Sequence, residues 1–542
     1  MSDDLFLNLP AAAAPVPTAT SYDEVPYLSN PFAQTHPSRL YTIGTLFGLK
    51  PAPPQRCRVL ELACAAGGNL VPMADYLPDS EFVGIDLSAK QIADGQAVLN
   101  QLGLTNVVLK RADIREVDAA YGTFDYIIAH GVYSWVPAAV RDKILDICRT
   151  LLTPNGIAYV SYNTYPGWHM RGMIRDMMRY HSSRFATPAD RTAQARGLLN
   201  FLATSVKQEG PYSQLLQQEL EGLRYQSDHY LYHEHLEEVN DPVYFHQFVE
   251  SAAAKGLKYL GEARVGTMVT GNFGPEIEDT LRKLATDQVM AEQYMDFLRN
   301  RMFRETLLCH AERSPSWSVP PETLRGLHVA SSARPQLADG QQEFNVADES
   351  AVTYRSPTGM NMTTSRPLLK TAMTLLQQAY PATIPFDALR RQARAQLGGN
   401  PDDPARADED TNLLAVGLLN CYMSSDLVEL HGMPITFCRT PGERPVALPH
   451  ARLSAAANST AANRRHEVIR LSEFDRRLIP LLDGTRDRPA LVNELTDVAA
   501  SGSLTVRRDN VPITDRGEIH AALASIIDEA LNKVAGMAVL VG

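Results

Sequence analysis

The chain has 542 residues, 44% of them hydrophobic, and its 51 basic against 62 acidic residues give a net charge of −11. That length fills several hydrophobic cores, about three or four domains, and the acidic balance argues against nucleic acid as a general partner. Six cysteines are scattered without C-x-x-C spacing, which points to neither a zinc site nor a disulfide framework.

The opening MSDDLFLNLP is acidic and runs into an Ala/Pro tract, unlike a secretory signal. No apolar run approaches the ~20 residues that span a bilayer. A cytoplasmic protein without membrane insertion is expected. The arm that follows, SYDEVPYLSNPFAQTHPSRL, is dense in aromatic and polar residues. It reads either as a packing arm covering a sheet edge or as a lid, with Tyr22, Tyr27 and His36 facing a ligand and excluding water.

The first strand runs into a glycine-rich turn in VLELACAAGGN, and a second strand ends in GIDLS. Small residues let a ligand approach the backbone, and the helix that follows offers unpaired N–H groups. Asp86, with Leu87 beside it, stands where an acid accepts both hydrogen bonds of a ribose diol. The turn departs from the G-x-G-x-x-G of dinucleotide folds. It reads E-x-small-x-small-x-G through Glu61, Ala63, Ala65 and Gly67, with Asn69 at the helix start. The extra acid suits a ligand bearing an amino group. Asp113, followed by Ile114, ends a third strand in RADI, placed as an acceptor for an adenine amine. An adenosine that carries an amino acid is S-adenosyl-L-methionine.

Ligands of doubly wound sheets bind beyond the carboxyl ends of the strands. FDYIIAHGVYSWVP places His130, Tyr133 and Trp135 after the fourth strand, and IAYVSYNTYPGW places Asn163 and Tyr165 after the fifth. Those five are the candidate catalytic residues, and His130 also falls beside the cofactor. Methyl transfer needs positioning and exclusion of water. A lysine acceptor must also lose its proton, from a reference pKa of ~10.4, and desolvation by Tyr133, Trp135 and Tyr165 favours the neutral amine. Asn163 could orient it. NTYPGW differs in order and position from the N-P-P-[YF] loop of adenine methyltransferases, which argues against DNA methylation.

Through ELACAAGG, GIDLS, RADI, FDYIIAHGVYSWV and LLTPNGIAYVSYN the chain resembles the class I S-adenosylmethionine-dependent methyltransferases. It departs from them at Ala63, Ala65 and Asn155, where glycine is usual. The resemblance implies an α/β fold with a Rossmann-like seven-stranded methyltransferase sheet. Beyond Met170 the pattern turns helical, and Met170, Met173, Met177 and Met178 read as packing. His229 and His233 are four apart, but no carboxylate motif accompanies them, and no metal is expected.

HEHLEEVNDPVYFHQF, GLKYLGEA and QYMDFLRNRMFRETLL resemble the methyltransferase regulatory domain that accompanies such catalytic domains in bacteria. With the arm, they make the chain similar to bacterial protein-lysine methyltransferases of outer-membrane proteins. That resemblance implies transfer to lysines of an unfolded or extended protein. Farther on, helices in TTSRPLLKTAMTLLQQAYP, DALRRQARAQL and TNLLAVGLLNCYMSSDLVEL precede a strand pair in HGMPITFCRT, a winged-helix pattern. GGNPDDPARADED reads as a charged surface loop.

The expected divisions are an arm over 1–40, the cofactor-binding domain over 41–185 and a mainly helical regulatory domain over 186–325. A winged-helix-like module over 326–440, a linker over 441–465 and a winged-helix-like domain over 466–542 follow. The C-terminal modules read as protein-interaction surfaces that present the substrate or pair subunits, which leaves a homodimer open. Two other functions fit the same motifs: a small-molecule methyltransferase, and a non-catalytic cofactor-sensing interaction protein.

Overall fold

The computed structural model describes residues 29–207, 209–337, 344–508 and 511–542. Tyr22 and Tyr27 lie outside the described residues. Helix α1 (Pro37–Leu46) leads into β1 (Arg58–Leu62), α2 (Leu70–Tyr76), β2 (Glu81–Asp86), α3 (Ala89–Leu102), β3 (Val107–Arg111) and β4 (Phe124–Ala129). Of these strands, β1, β2 and β4 are short, largely apolar runs buried on both faces, the pattern of a parallel sheet covered by helices, while β3 at the edge buries alternate residues. In β1 the side chains alternate: Val59 packs with Leu70 and Met73 of α2, while Leu60 and Leu62 pack with the opposite layer. That layer is α4 (Ala138–Leu151), through Ile144, Ile147 and Cys148.

After β5 (Leu152–Asn163) the chain leaves the sheet through α5 (Gly167–Ser182), α6 (Pro188–Ser205) and α7 (Pro211–Leu223). Ile174, Met178, Leu199 and Leu216 give these helices their own core. Met178 is fully buried there, whereas Met170 and Met173 are 50% and 40% exposed, so only part of the methionine stripe packs. The chain then returns through α8 (Phe245–Ala254) to β6 (Leu257–Glu262) and, after α9 (Gln288–Arg299), to β7 (Phe303–His310). The sheet order is β3-β2-β1-β4-β5-β7-β6, with β7 antiparallel to both β5 and β6. Two strands of the seven thus come from the segment expected to be a helical domain. The helical excursion of α5 to α7 separates them from β5, so the strand-helix rhythm of the first five strands is broken before they are reached.

The middle module is built on β8 (His328–Ala330), α10 (Pro367–Ala379), α11 (Phe386–Gln396), α12 (Pro404–Ser424) and β9 (Glu429–His431). Its Leu368, Met373, Leu414 and Leu418 belong to one continuous core with the α1 and α2 face of the sheet. GGNPDDPARADED is a loop only in part, since α12 starts inside it and buries Asp410 against Arg394. The strand pair expected in HGMPITFCRT does not form: β9, which pairs with β8, ends at the first residue of that segment, His431.

The expected linker is structured: it carries α13 (Pro449–Ala457) and β10 (Thr460–Ala462). Ala447, Ala451, Ala455 and Ala461 are buried against Leu478, Leu491 and Leu531 of the C-terminal domain. Small side chains let these elements approach closely, so an Ala-rich composition that reads as coil is here a packing face. Among the described residues, no helix is long and apolar enough to cross a membrane.

Candidate active site

The carboxyl ends of β1 to β5 open onto a cavity of ≈ 660 Å³. Glu61, at the end of β1, is fully buried. Its Oε1 accepts from Asn69 Nδ2 at 2.9 Å, while Oε2 has no hydrogen-bond partner among the described residues. Burial, with Asp86 nearby, pushes the Glu61 carboxyl up to about 8. Asn69 is itself saturated: Oδ1 accepts from the Phe32 backbone at 2.9 Å and from His466 Nε2–H at 2.8 Å.

The turn after β1 is left-handed at three alternating positions, Ala63 (φ 60), Ala65 (φ 51) and Gly67 (φ 75). Gly67 is the one whose missing Cβ would strike Leu109, at 2.9 Å. An L-residue in this region costs ~1–2 kcal/mol, and such strain collects at ligand sites. Glycine at 63 or 65 would relieve it but lose ~0.4–1 kcal/mol by loosening the unfolded chain. Ala63→Gly and Ala65→Gly are therefore expected to leave stability unchanged or raise it by up to about 1.6 kcal/mol each. Chemical denaturation checks this, and a loss of that size would contradict the strain argument.

Asp86 accepts from the backbone N–H groups of Ala65 and Ser88, both at 2.8 Å, which pins the carboxylate at the cavity wall. Leu87 and Ile114 line the same wall. Asp113 also lines it, clasped by the Arg115 guanidinium and the Arg115 backbone N–H, and the former is the main reason its carboxyl stays below the usual range. On the far side lies His130. The Tyr159 hydroxyl donates to Glu305 at 3.2 Å, so His130 donates from Nδ1 to that hydroxyl at 2.9 Å. Burial lowers His130 to about 4; the ring is neutral at pH 7, with Nε2 left as an acceptor.

Trp135 and Asn163 line the cavity, with Asn163 held by Asn240 at 3.0 Å. Three other expectations are corrected. Tyr133 lies beneath the site, its ring against Phe248 (5.2 Å) and Tyr162 (6.0 Å), because the short turn Tyr133–Trp135 points Trp135 into the cavity and Tyr133 into the core. Tyr165 stacks on His169 at 4.0 Å and contacts Tyr244, away from the cavity lining. His36 caps α1 by accepting from the Ser38 N–H, and burial there holds its pKa near 3. It faces His466 of the C-terminal domain, not the cofactor wall.

The arm still reaches the cavity, through Ser29, Asn30 and Phe32. Gly68 donates to Ser29 Oγ at 2.6 Å, and a Cβ on Gly68 would meet the Ser29 carbonyl oxygen at 2.3 Å, so the second glycine of the turn admits the arm. Phe32 sits on His130, 3.9 Å between centroids. Trp168, Tyr230, His233 and Glu234 extend the cavity into the helical insertion. His233 and Glu234 sit on a single π-helical turn, Tyr232–Leu236, a feature that recurs at functional sites. His233 is buried while His229 is exposed, so the pair does not converge. Among the described residues no cluster of three or more His, Cys, Asp or Glu could hold a metal.

This sheet order, with its left-handed turn, buried acid and strand-end carboxylate, defines a class I S-adenosylmethionine-dependent methyltransferase. Family models match three stretches: a methyltransferase domain over 60–158, a predicted methyltransferase regulatory domain over 227–310, and a PKMT C-terminal winged helix domain over 443–539. An uncharacterized protein of Rickettsia prowazekii is 35% identical over 96% of this chain and 93% of its own length. A second from that organism is 45% identical over 44% of this chain and 96% of its own. The structure of PKMT2 from Rickettsia typhi in complex with AdoHcy superposes with a TM-score of 0.84 at 30% identity, covering 95% of this chain and 100% of that one. The chain belongs to the methyltransferase family of Rickettsia PKMT2. S-Adenosylmethionine is its cofactor, and the unpartnered Glu61 Oε2 at the cavity wall fits the amino group such a cofactor carries.

Proposed function

We propose that the chain transfers methyl groups to lysine side chains of a protein substrate in the cytoplasm. PKMT stands for protein lysine methyltransferase, so the relative's name favours this reading. The observation that carries it is the second half of the cavity, where Trp135, Trp168, Tyr230 and Glu234 form an aromatic and acidic mouth next to the cofactor half. Trp135 and Trp168 meet edge to face at 6.3 Å. Aromatic faces and a carboxylate attract an alkylammonium group. Burial raises Glu234 to about 6, so it is mostly ionised at pH 7. Arg171, the cation beside these residues, is held by Glu219 at 3.1 Å.

The cofactor supplies an electrophilic methyl group. On the protein side, Glu61 pairs with the amino group, Asp86 accepts from the ribose hydroxyls, Asp113 accepts from the adenine amine through its remaining lone pairs, and Leu87 and Ile114 flank the base. Asn69 fixes Glu61, while Ala63, Ala65 and Gly67 bring the turn close. Past this mouth, loss of water around the incoming lysine favours its neutral form. His130 is some six pKa units less basic than a free lysine, roughly 8 kcal/mol against proton transfer. Its role is to accept a hydrogen bond from the amine and orient it, beside Asn163.

Trp135→Ala and Glu234→Gln are expected to lower kcat/KM for protein methylation at least about tenfold, the loss of ~1.4 kcal/mol of acceptor positioning. AdoHcy affinity should stay within about threefold, below 1 kcal/mol. Steady-state kinetics with calorimetry checks both, and unchanged turnover in either variant removes that residue from the acceptor path.

A further inference from the structure

We propose that a second cavity, between the C-terminal domain and the catalytic domain, binds a small ligand bearing carboxylate or phosphate groups. It measures ≈ 290 Å³ and is walled by the arm, α2, the end of β9 and residues 464–467. His466 lines it and donates to Asn69, which lines the cofactor cavity, so one hydrogen bond separates the two spaces.

Two arginines define its chemistry. Arg39 is fixed by its Nε–H, which donates to the Ala263 carbonyl at 3.1 Å, and its guanidinium lies over the Tyr422 ring at 5.3 Å. Arg464 is held the same way, Nε–H to the Thr436 carbonyl at 3.2 Å and the guanidinium over Tyr76 at 4.0 Å. Both are partly buried, and both line this cavity. Among the described residues, neither has a carboxylate within ion-pair distance, and their terminal nitrogens donate to none of those residues. Stacking and the Nε bond fix each fork without using the face that recognises an oxyanion.

Every other charge at the cavity is taken. Arg465 pairs with both Glu429 and Glu467, and His431 also contacts Glu429. Arg264 pairs with Glu305 at 2.6 Å. Asp75, the carboxylate that acts on Arg464 from beyond the lining, is bonded to His450 at 2.6 Å. Two guanidinium forks without counterions among the described residues therefore face a cavity whose described carboxylates are all engaged. Half-desolvated cations gain most from a bidentate anion. The chain as a whole carries −11, so attraction to anions is local to this pocket and not a property of the surface.

The test uses the full chain and titrates pyrophosphate and citrate by calorimetry, at constant ionic strength with chloride as the balancing anion. One-to-one binding of either probe is expected; pyrophosphate alone marks a phosphate ligand and citrate alone a carboxylate one. Arg39→Gln and Arg464→Gln should each weaken binding about tenfold or more, as loss of a charge-assisted bond does. AdoHcy affinity reports that each variant is folded. Should a glutamine variant not fold, Arg39→Lys and Arg464→Lys keep the charge without the fork and should still weaken binding. No binding of either probe at millimolar concentration, or binding that folded variants leave intact, overturns the proposal.

Discussion

Asp86→Ala is expected to reduce AdoHcy affinity by at least about 100-fold, because hydrogen bonds to a charged group are worth roughly 1.5–3 kcal/mol each and two ribose hydroxyls lose their acceptor. The loss has a second source. Asp86 holds the backbone N–H groups of Ala65 and Ser88 at 2.8 Å, so the variant also frees the turn that carries Ala63 and Ala65 in left-handed geometry. Calorimetry with AdoHcy measures the effect directly. Near-normal affinity would show that the carboxylate is a turn brace alone.

The second large effect is linked to protons. In the ligand-free protein Glu61 keeps its proton up to about pH 8, whereas an unfolded glutamate loses it near ~4.3. The folded state therefore binds the extra proton between these values, and this contribution to stability is full below pH 4 and lost as pH rises through 8. A cofactor amino group reverses the penalty by giving the carboxylate a partner. Binding at pH 7 should release close to one proton from Glu61, and affinity should climb up to about tenfold per pH unit from 6 to 7.5. Glu61→Gln should abolish both the release and the slope, and should weaken binding by an ion pair's worth, about 30-fold or more. Calorimetry in two buffers of different ionisation enthalpy reads the proton count. A pH-independent affinity in the unsubstituted protein would contradict this assignment.

Legibility in the sequence followed how local each feature is. Strands β1 to β5 are apolar runs separated by helices or helical turns, and the cofactor turn is a contiguous stretch, so Glu61, Asp86, Asp113, His130, Trp135 and Asn163 all fall on the cavity wall. Strands β6 and β7 were hidden by a long helical excursion, after which the chain returns to the sheet edge in antiparallel pairing. The acceptor half of the site was hidden for the same reason, since Tyr230, His233 and Glu234 lie far along the chain. Tyr133 and Trp135 are two residues apart, and only the short turn between them decides which ring enters the cavity. His36 reads as a ligand from its aromatic setting, yet its ring nitrogen is spent on capping α1.

The C-terminal domain shows the limit of composition as a guide. Its alanines look like linker and are buried at 0% exposure at Ala447, Ala451 and Ala455. From that domain His466 reaches Asn69 and His450 reaches Asp75, so the last hundred residues brace the first helix after the cofactor turn. Those contacts join positions nearly 400 apart in the chain, such as His466 and Asn69, beyond what any local pattern carries.

Incubating the protein with S-adenosylmethionine carrying an isotopically labelled methyl group and fractionated cell proteins and metabolites, unfolded outer-membrane proteins included, and mapping the label by mass spectrometry decides whether lysine is the acceptor. The account predicts label on lysine side chains of protein, lost in Asp86→Ala and reduced in Trp135→Ala. Label confined to the metabolite fraction, or no transfer to any acceptor, would contradict it.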